Sequence, residues 1–184
     1  MLENWVVIPT CLPIVLRRCP TCASGRFRPN GKFRVNAHHK LLDAWLLILC
    51  TTCGGTAKLT VLERTNVRSV RPDLLDRMHA NDPSLAGELL QDPVLRRRNR
   101  IALDWAGAWR LDTGVSDHHR NQEEALDVTV RFAARIPVRP VRLIAEGCDL
   151  SRAEVERLIT DGKLVSSIRL TGRLTGDFTF TLKR

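Results

Sequence analysis

Two Cys-x-x-Cys pairs, Cys19 with Cys22 and Cys50 with Cys53, constrain this chain more than any other feature, because four thiolates so arranged can enclose one metal ion tetrahedrally. Each pair suits a tight turn, a knuckle, at one end of a β-hairpin. The 27 residues between the pairs are enough for two strands and their turn. This is the pattern of a zinc ribbon, with a separation longer than the common spacing of about 15–20 residues. A closed site of four thiolates leaves no position for water or substrate, so zinc held there is a structural cofactor and not a catalytic one. The rival chemistry is thiol–disulfide exchange, since Cys19-Pro20-Thr21-Cys22 has the redox spacing. Redox pairs of that kind open a helix that lowers the thiol pKa, whereas the flanks here alternate as strands and a second matched pair follows.

The segment between the pairs reads as a long hairpin. Lys32-Phe33-Arg34-Val35-Asn36 alternates, Ala37-His38-His39-Lys40 turns, and Leu41 to Leu49 runs back into Cys50. Cys53-Gly54-Gly55 suits the second knuckle, because glycine allows the close backbone turn that aims amides at sulfur. Ala57 to Leu62 supplies a third strand. His38 and His39 fall at the hairpin turn and read as exposed turn residues, four cysteines already saturating a tetrahedral ion. Cys11 reads as a small buried apolar residue, and Cys11 and Cys148 as free thiols.

The chain of 184 residues carries a net charge of +9, and 43 per cent of its residues are hydrophobic, as in a folded soluble protein. Residues 1–66 hold nine basic and three acidic side chains, residues 67–138 eleven of each, and residues 139–184 nine and six. A zinc ion with four thiolates contributes −2, which lowers the amino-terminal excess to about +4. Such a balance favours anionic partners, nucleic acid first. The apolar stretch from Trp5 to Ile8 is broken by Pro9 and Pro13, and the run Ala44 to Cys50 is too short to span a bilayer. A cytoplasmic, membrane-free location is expected, and in a reducing compartment paired cysteines serve metals more than disulfides.

In the middle segment, Arg71-Pro72-Asp73 starts a helix carrying Leu74, Leu75 and Met78, and Asn81-Asp82-Pro83 starts another carrying Leu85, Leu89 and Leu90. Arg96-Arg97-Arg98 reads as a solvated helix face. Ile101 to Leu111 and Leu126 to Ile136 read as strands, with Trp105 and Trp109 in the core. Asp112, Asp117, His118 and His119 read as a polar connecting loop rather than a metal site. In the last segment, Ser151 caps a helix and Glu154 closes a capping box, with Leu150 and Val155 as its hydrophobic staple. A shorter helix, Arg139 to Gly147, precedes it, and Leu164-Val165 and Asp177 to Leu182 supply strands. The expected fold class is α+β, divided as a zinc ribbon (1–66), a helical and strand segment (67–138) and a helix pair with short strands (139–184).

Between Arg139 and Val165 the residues Arg139, Leu143, Ala145, Ser151, Arg152, Ala153, Leu158, Ile159, Gly162 and Val165 resemble the small RNA-binding domain named for the fourth protein of the small ribosomal subunit. That resemblance implies RNA phosphate contacts from Arg139, Arg142, Arg152, Arg157 and Lys163. Val141 replaces the usual Asp, and Ser166-Ser167 the usual Asn-Gly. The alternative is a generic capped helix pair packed on the rest of the protein. The double Cys-x-x-Cys together with Phe33-Arg34-Val35-Asn36-Ala37, Leu42-Asp43-Ala44-Trp45-Leu46 and Val61-Leu62-Glu63-Arg64 is similar to an uncharacterised bacterial family, domain of unknown function 1062. That likeness implies a bacterial cytoplasmic protein and no particular activity.

The sequence holds no nucleophile in a recognisable setting, no phosphate-binding glycine loop and no dinucleotide fingerprint, so no catalytic residue is assigned. The leading expectation is a zinc-ribbon protein that binds structured RNA or a ribosomal particle through its carboxyl-terminal helices. The ribbon arginines Arg17, Arg18, Arg26, Arg28 and Arg34 would assist. The alternative is a zinc-stabilised adaptor that offers the Leu41 to Leu49 strand to a protein partner.

Overall fold

The structure is a computed structural model that describes residues 2–114 and 125–183. Of the candidate loop of Asp112, Asp117, His118 and His119, the last three lie outside the described residues. The chain runs through β1 (Leu2–Pro9), β2 (Ile14–Leu16), β3 (Arg26–His38), β4 (Leu41–Cys50), β5 (Thr56–Asn66), α1 (Pro72–His79), α2 (Pro83–Gln91) and α3 (Pro93–Asn99). It continues through β6 (Ala102–Asp104), β7 (Trp109–Asp112), β8 (Ala125–Phe132), α4 (Pro140–Cys148), α5 (Arg152–Thr160), β9 (Leu164–Ser166) and β10 (Phe178–Lys183). The α+β class is as expected, in two compact units: residues 12–106, and residues 1–11 joined to 107–184.

The first unit is an antiparallel sheet in the order β5-β4-β3-β2-β6. Its long strands follow from alternation. On β4, Leu42, Ala44, Leu46, Ile48 and Cys50 are buried while the residues between them are half-buried. The β3–β4 hairpin turns at His39, whose φ is +55°, and both histidines are exposed there. The inward face needs apolar cover, and α1, α2 and α3 supply it. Ala86 and Leu90 join Phe27, Leu46, Ile48 and Leu59 in one cluster, while Met78 and Leu85 pack on Ala44 in another. Burying a leucine or isoleucine side chain of this kind is worth about 1.5–3 kcal/mol. Asp82 and Asp92 accept from the amides of Ser84 and Val94, with Pro83 and Pro93 as first helical residues, so each Asp-Pro step sets a helix start. Arg77 clamps the α1–α2 corner through ion pairs of 2.6 Å to Asp82 and 2.8 Å to Glu88.

These contacts place the helices with the ribbon, where the sequence suggests a boundary at residue 66. The amino-terminal strand differs as well. β1 lies within the other sheet, of order β7-β1-β8-β10-β9, parallel to β8 and antiparallel to β7. Its alternation buries Glu3, Trp5 and Val7. The Trp5 ring meets Phe180 edge-on at 5.3 Å and donates from Nε1 to Glu3 Oε2 at 2.7 Å. Cys11, expected to be buried, is exposed, because it follows Pro9 beyond the last paired residue of β1.

In this second unit the capping box at Ser151 and Glu154 forms in full, and Gly162 ends the turn after α5 at φ +68°. Asp149, at φ +55°, closes α4. Helix α4 comes so near β1 that a Cβ on Gly147 would lie 2.3 Å from the Trp5 ring. Because Trp5 is fully buried, Gly147→Ala has no room to relax. Thermal or denaturant unfolding is expected to show a loss of about 2–3 kcal/mol for this variant, and a stability equal to the parent would contradict the packing.

Candidate metal centre and basic surfaces

The two knuckles repeat one backbone design. Cys19 O accepts from Ala23 N at 3.1 Å, and Cys50 O from Gly54 N at 3.0 Å. Cys19 N donates to Ser24 O and Cys50 N to Gly55 O, at 2.7 and 2.9 Å. The residue after the second cysteine is left-handed in both, Ala23 at φ 59° and Gly54 at φ 70°. Strands β2 and β3 lead to and from the first knuckle, β4 and β5 to and from the second. All four sulfurs lie within 4.8 Å of one another, with Cys19 Sγ 3.8 Å from Cys53 Sγ and Cys22 Sγ 3.5 Å from Cys50 Sγ.

Four sulfurs around an ion at about 2.3 Å would form a tetrahedron with edges of about 3.8 Å. The observed separations bracket that length, so the cluster can hold a metal ion and fits a zinc site. Each knuckle gives one buried cysteine, Cys19 or Cys50, and one exposed, Cys22 or Cys53. Backbone amides aim at the buried sulfurs in matching fashion. The Cys53 amide lowers the Cys50 thiol to about 6, helped by the Thr52 amide, and the Cys22 and Thr21 amides lower Cys19. At Cys22 the Ser24 amide pulls the other way, but desolvation and the three neighbouring sulfurs push the thiol up to about 12. A divalent cation removes that conflict by neutralising the crowded thiolates.

The five basic residues singled out on the helix pair, Arg139, Arg142, Arg152, Arg157 and Lys163, are all exposed. They do not share one site. Arg139 lines a groove of about 840 Å³ with Glu156, Ile159 and Thr160 of α5, whereas Lys163 lines a smaller cavity of about 210 Å³ with Leu158 and Cys148. Arg157 lies beside Glu154, whose carboxyl is held low by Ser151 and then by Arg157. Ser166 and Ser167 both donate to Thr179 O, at 2.9 and 3.2 Å, which ties β9 to β10.

The charge is distributed differently from the segment count. Residues 12–106 carry 16 basic and 8 acidic side chains, and the remaining residues 13 and 12. The excess therefore belongs to the cysteine-bearing unit. Register resolves its sheet into two faces. Opposite the helix-covered face, Arg28 pairs with Leu49 and Arg34 with Trp45 across β3–β4, and Lys58 pairs with Leu47 across β4–β5. Lys58 Nζ sits 4.7 Å from the Trp45 ring centroid, in cation–π reach. The arginines of this face were legible in the sequence; the place of Trp45 and Lys58 beside Arg34 was not. The signal was present in the alternation of Arg26, Arg28 and Arg34 against Phe27, Phe33 and Val35, but only the pairing shows that Arg34 lies beside Trp45.

Ala23 has the left-handed conformation that glycine takes in the matching knuckle, at a cost of about 1–2 kcal/mol for a residue with a Cβ. Ala23→Gly is expected to stabilise the residue 12–106 unit by about 0.5–1 kcal/mol in equilibrium denaturation, since glycine recovers only part of that strain after its own entropy cost. Cys50→Ser should act in the opposite direction, lowering bound metal and unfolding the same unit; full metal content with unchanged stability would contradict the shared site.

No curated protein and no solved structure matched the chain. The family described as protein of unknown function (DUF1062) matches residues 35–169, which run from the first long hairpin through the helix pair. With most of its length inside that match, the chain belongs to the DUF1062 family.

Proposed function

We propose that this is a zinc-stabilised RNA-binding protein, with zinc held by Cys19, Cys22, Cys50 and Cys53 and an unpaired stretch of structured RNA laid on the outward face of the ribbon sheet. The observation that carries this reading is that Arg34 pairs with Trp45 and Lys58 sits over its ring, with Arg28 further along the same face opposite Leu49. Single strands are bound by cations that follow the phosphates and by aromatic rings that stack on bases. This face offers both. Two of the sheet's acidic residues are engaged, Asp43 accepting from Arg64 N at 2.8 Å and Asp104 pairing with Arg26 at 2.9 Å, and Glu63 on β5 is exposed. The exposed Arg142, Arg152, Arg157 and Lys163 supply a second set of phosphate contacts, on a unit whose net charge is close to neutral.

Zinc in this reading is architectural. It fixes the ends of the strands that carry the arginines, and the closed thiolate set leaves it no role as a Lewis acid toward substrate. The same face also bears the half-buried apolar residues Leu41, Leu47 and Leu49. These favour the second reading, an adaptor whose partner is a protein.

Anisotropy of an end-labelled single-stranded oligouridine, across a salt series, separates the two. Three phosphate contacts predict a log–log salt slope of about −2. Trp45→Leu should weaken binding about tenfold through lost stacking, and Arg28→Glu with Arg34→Glu should abolish it, while Arg152→Glu with Lys163→Glu reduces it less. No binding at low salt would overturn the RNA reading and leave the protein partner.

A further inference from the structure

The groove beside α5 is not needed for RNA binding on the ribbon sheet, and its chemistry points elsewhere. Its floor is aliphatic, from Val141, Ile159, Leu164, Ile168 and Leu170, and no aromatic ring contributes to it. Its rim carries Arg139, Arg169 and Arg173, with Glu156 as the one carboxylate. Among the described residues none of these three guanidinium groups has a hydrogen-bond or ion-pair partner. The wall is built rather than loose. The segment that carries Arg169 and Arg173 is pinned by a two-way bridge, Leu174 N to Val138 O at 2.8 Å and Val138 N to Leu174 O at 2.9 Å, and Val138 is itself buried. At its other end, Ser167 N donates to Thr179 O at 3.0 Å.

We propose that this groove binds a small amphipathic anion: a molecule with an aliphatic chain that lies on the floor and a phosphate or carboxylate that meets the arginine rim. A cavity of about 840 Å³ falls in the usual range for small-molecule sites, which are mostly apolar with a few placed polar groups. The absence of aromatic rings disfavours a stacked base and suits a flexible chain. Three cations against one carboxylate select a negative head, and planar guanidinium groups match phosphate and carboxylate oxygens in bidentate fashion. Glu156 is the one repulsive group against these three cations. The sequence offered no sign of this site, because Arg169 and Arg173 lie 30 or more positions beyond Arg139 and only the Val138–Leu174 bridge brings them to it.

The test is calorimetric titration of the full-length protein with decyl phosphate below its micellar concentration. Decanol, inorganic phosphate and decyltrimethylammonium serve as controls for tail, head and sign of charge. Saturable one-to-one binding of decyl phosphate, with each control much weaker, is the expected result. Arg139→Gln and Arg173→Gln, at exposed positions that leave the core intact, should each weaken it about tenfold, the scale of one charge-assisted hydrogen bond. Vesicles of anionic phospholipid form the last arm: a free amphiphile site leaves them unbound. Equal affinity for decanol, unchanged affinity in both arginine variants, or capture by the vesicles in place of decyl phosphate binding would each overturn the proposal.

Discussion

The crowding of four cysteine sulfurs within 4.8 Å is the constraint on which the residue 12–106 unit depends. As thiolates they repel one another, and as thiols at least one is forced far from its ordinary pKa, as Cys22 shows. A cation resolves both difficulties. Because Cys19 and Cys50 also belong to the apolar cluster of Phe27, Leu46, Ile48, Leu59, Ala86 and Leu90, the cysteine cluster is continuous with the core and not an appendage to it. The knuckles fix the ends of β2 to β5, the sheet then offers one apolar face, and α1 to α3 close over that face. Small domains whose cores are modest gain cohesion in this way, since metal binding and folding share one free energy.

What the ordering of the strands leaves on the other side of the sheet is a basic surface that includes Trp45. A strand buried on one face must alternate, so the same geometry that buries Phe27 and Ile48 projects Arg28 and Trp45 outward. The basic excess of the chain is concentrated in this unit, where 16 cations face 8 carboxylates, while the second unit is close to balance. An anionic polymer and a small amphipathic anion would thus be met by different units with different physics: cations beside an aromatic ring in one, cations around an aliphatic floor in the other.

Local chemistry was legible in the sequence, and pairing over long distances was not. The two cysteine knuckles, the hairpin turning at His39, the Asp-Pro helix starts and the Ser151–Glu154 capping box each depend on a few neighbouring residues, and each was readable. The place of β1 was not, because its partner β8 lies more than 120 residues away and an alternating strand carries no mark of the sheet it will join. The outward role of Trp45 was hidden for a related reason. Leu41 to Leu49 is almost continuously apolar, so its period gives no face, and only the register against Arg34 and Lys58 assigns one. The five helix-pair cations looked like a set because they are close in sequence, whereas the structure divides Arg139 from Lys163 across α5.

X-ray absorption at the zinc edge on protein purified without added metal bears most directly on the account. It predicts one zinc per chain with four sulfur neighbours at about 2.3 Å and no nitrogen or oxygen in the inner sphere. A protein that folds without metal, or a zinc bound by fewer than four sulfurs, would contradict the claim that the four cysteines form one closed structural site.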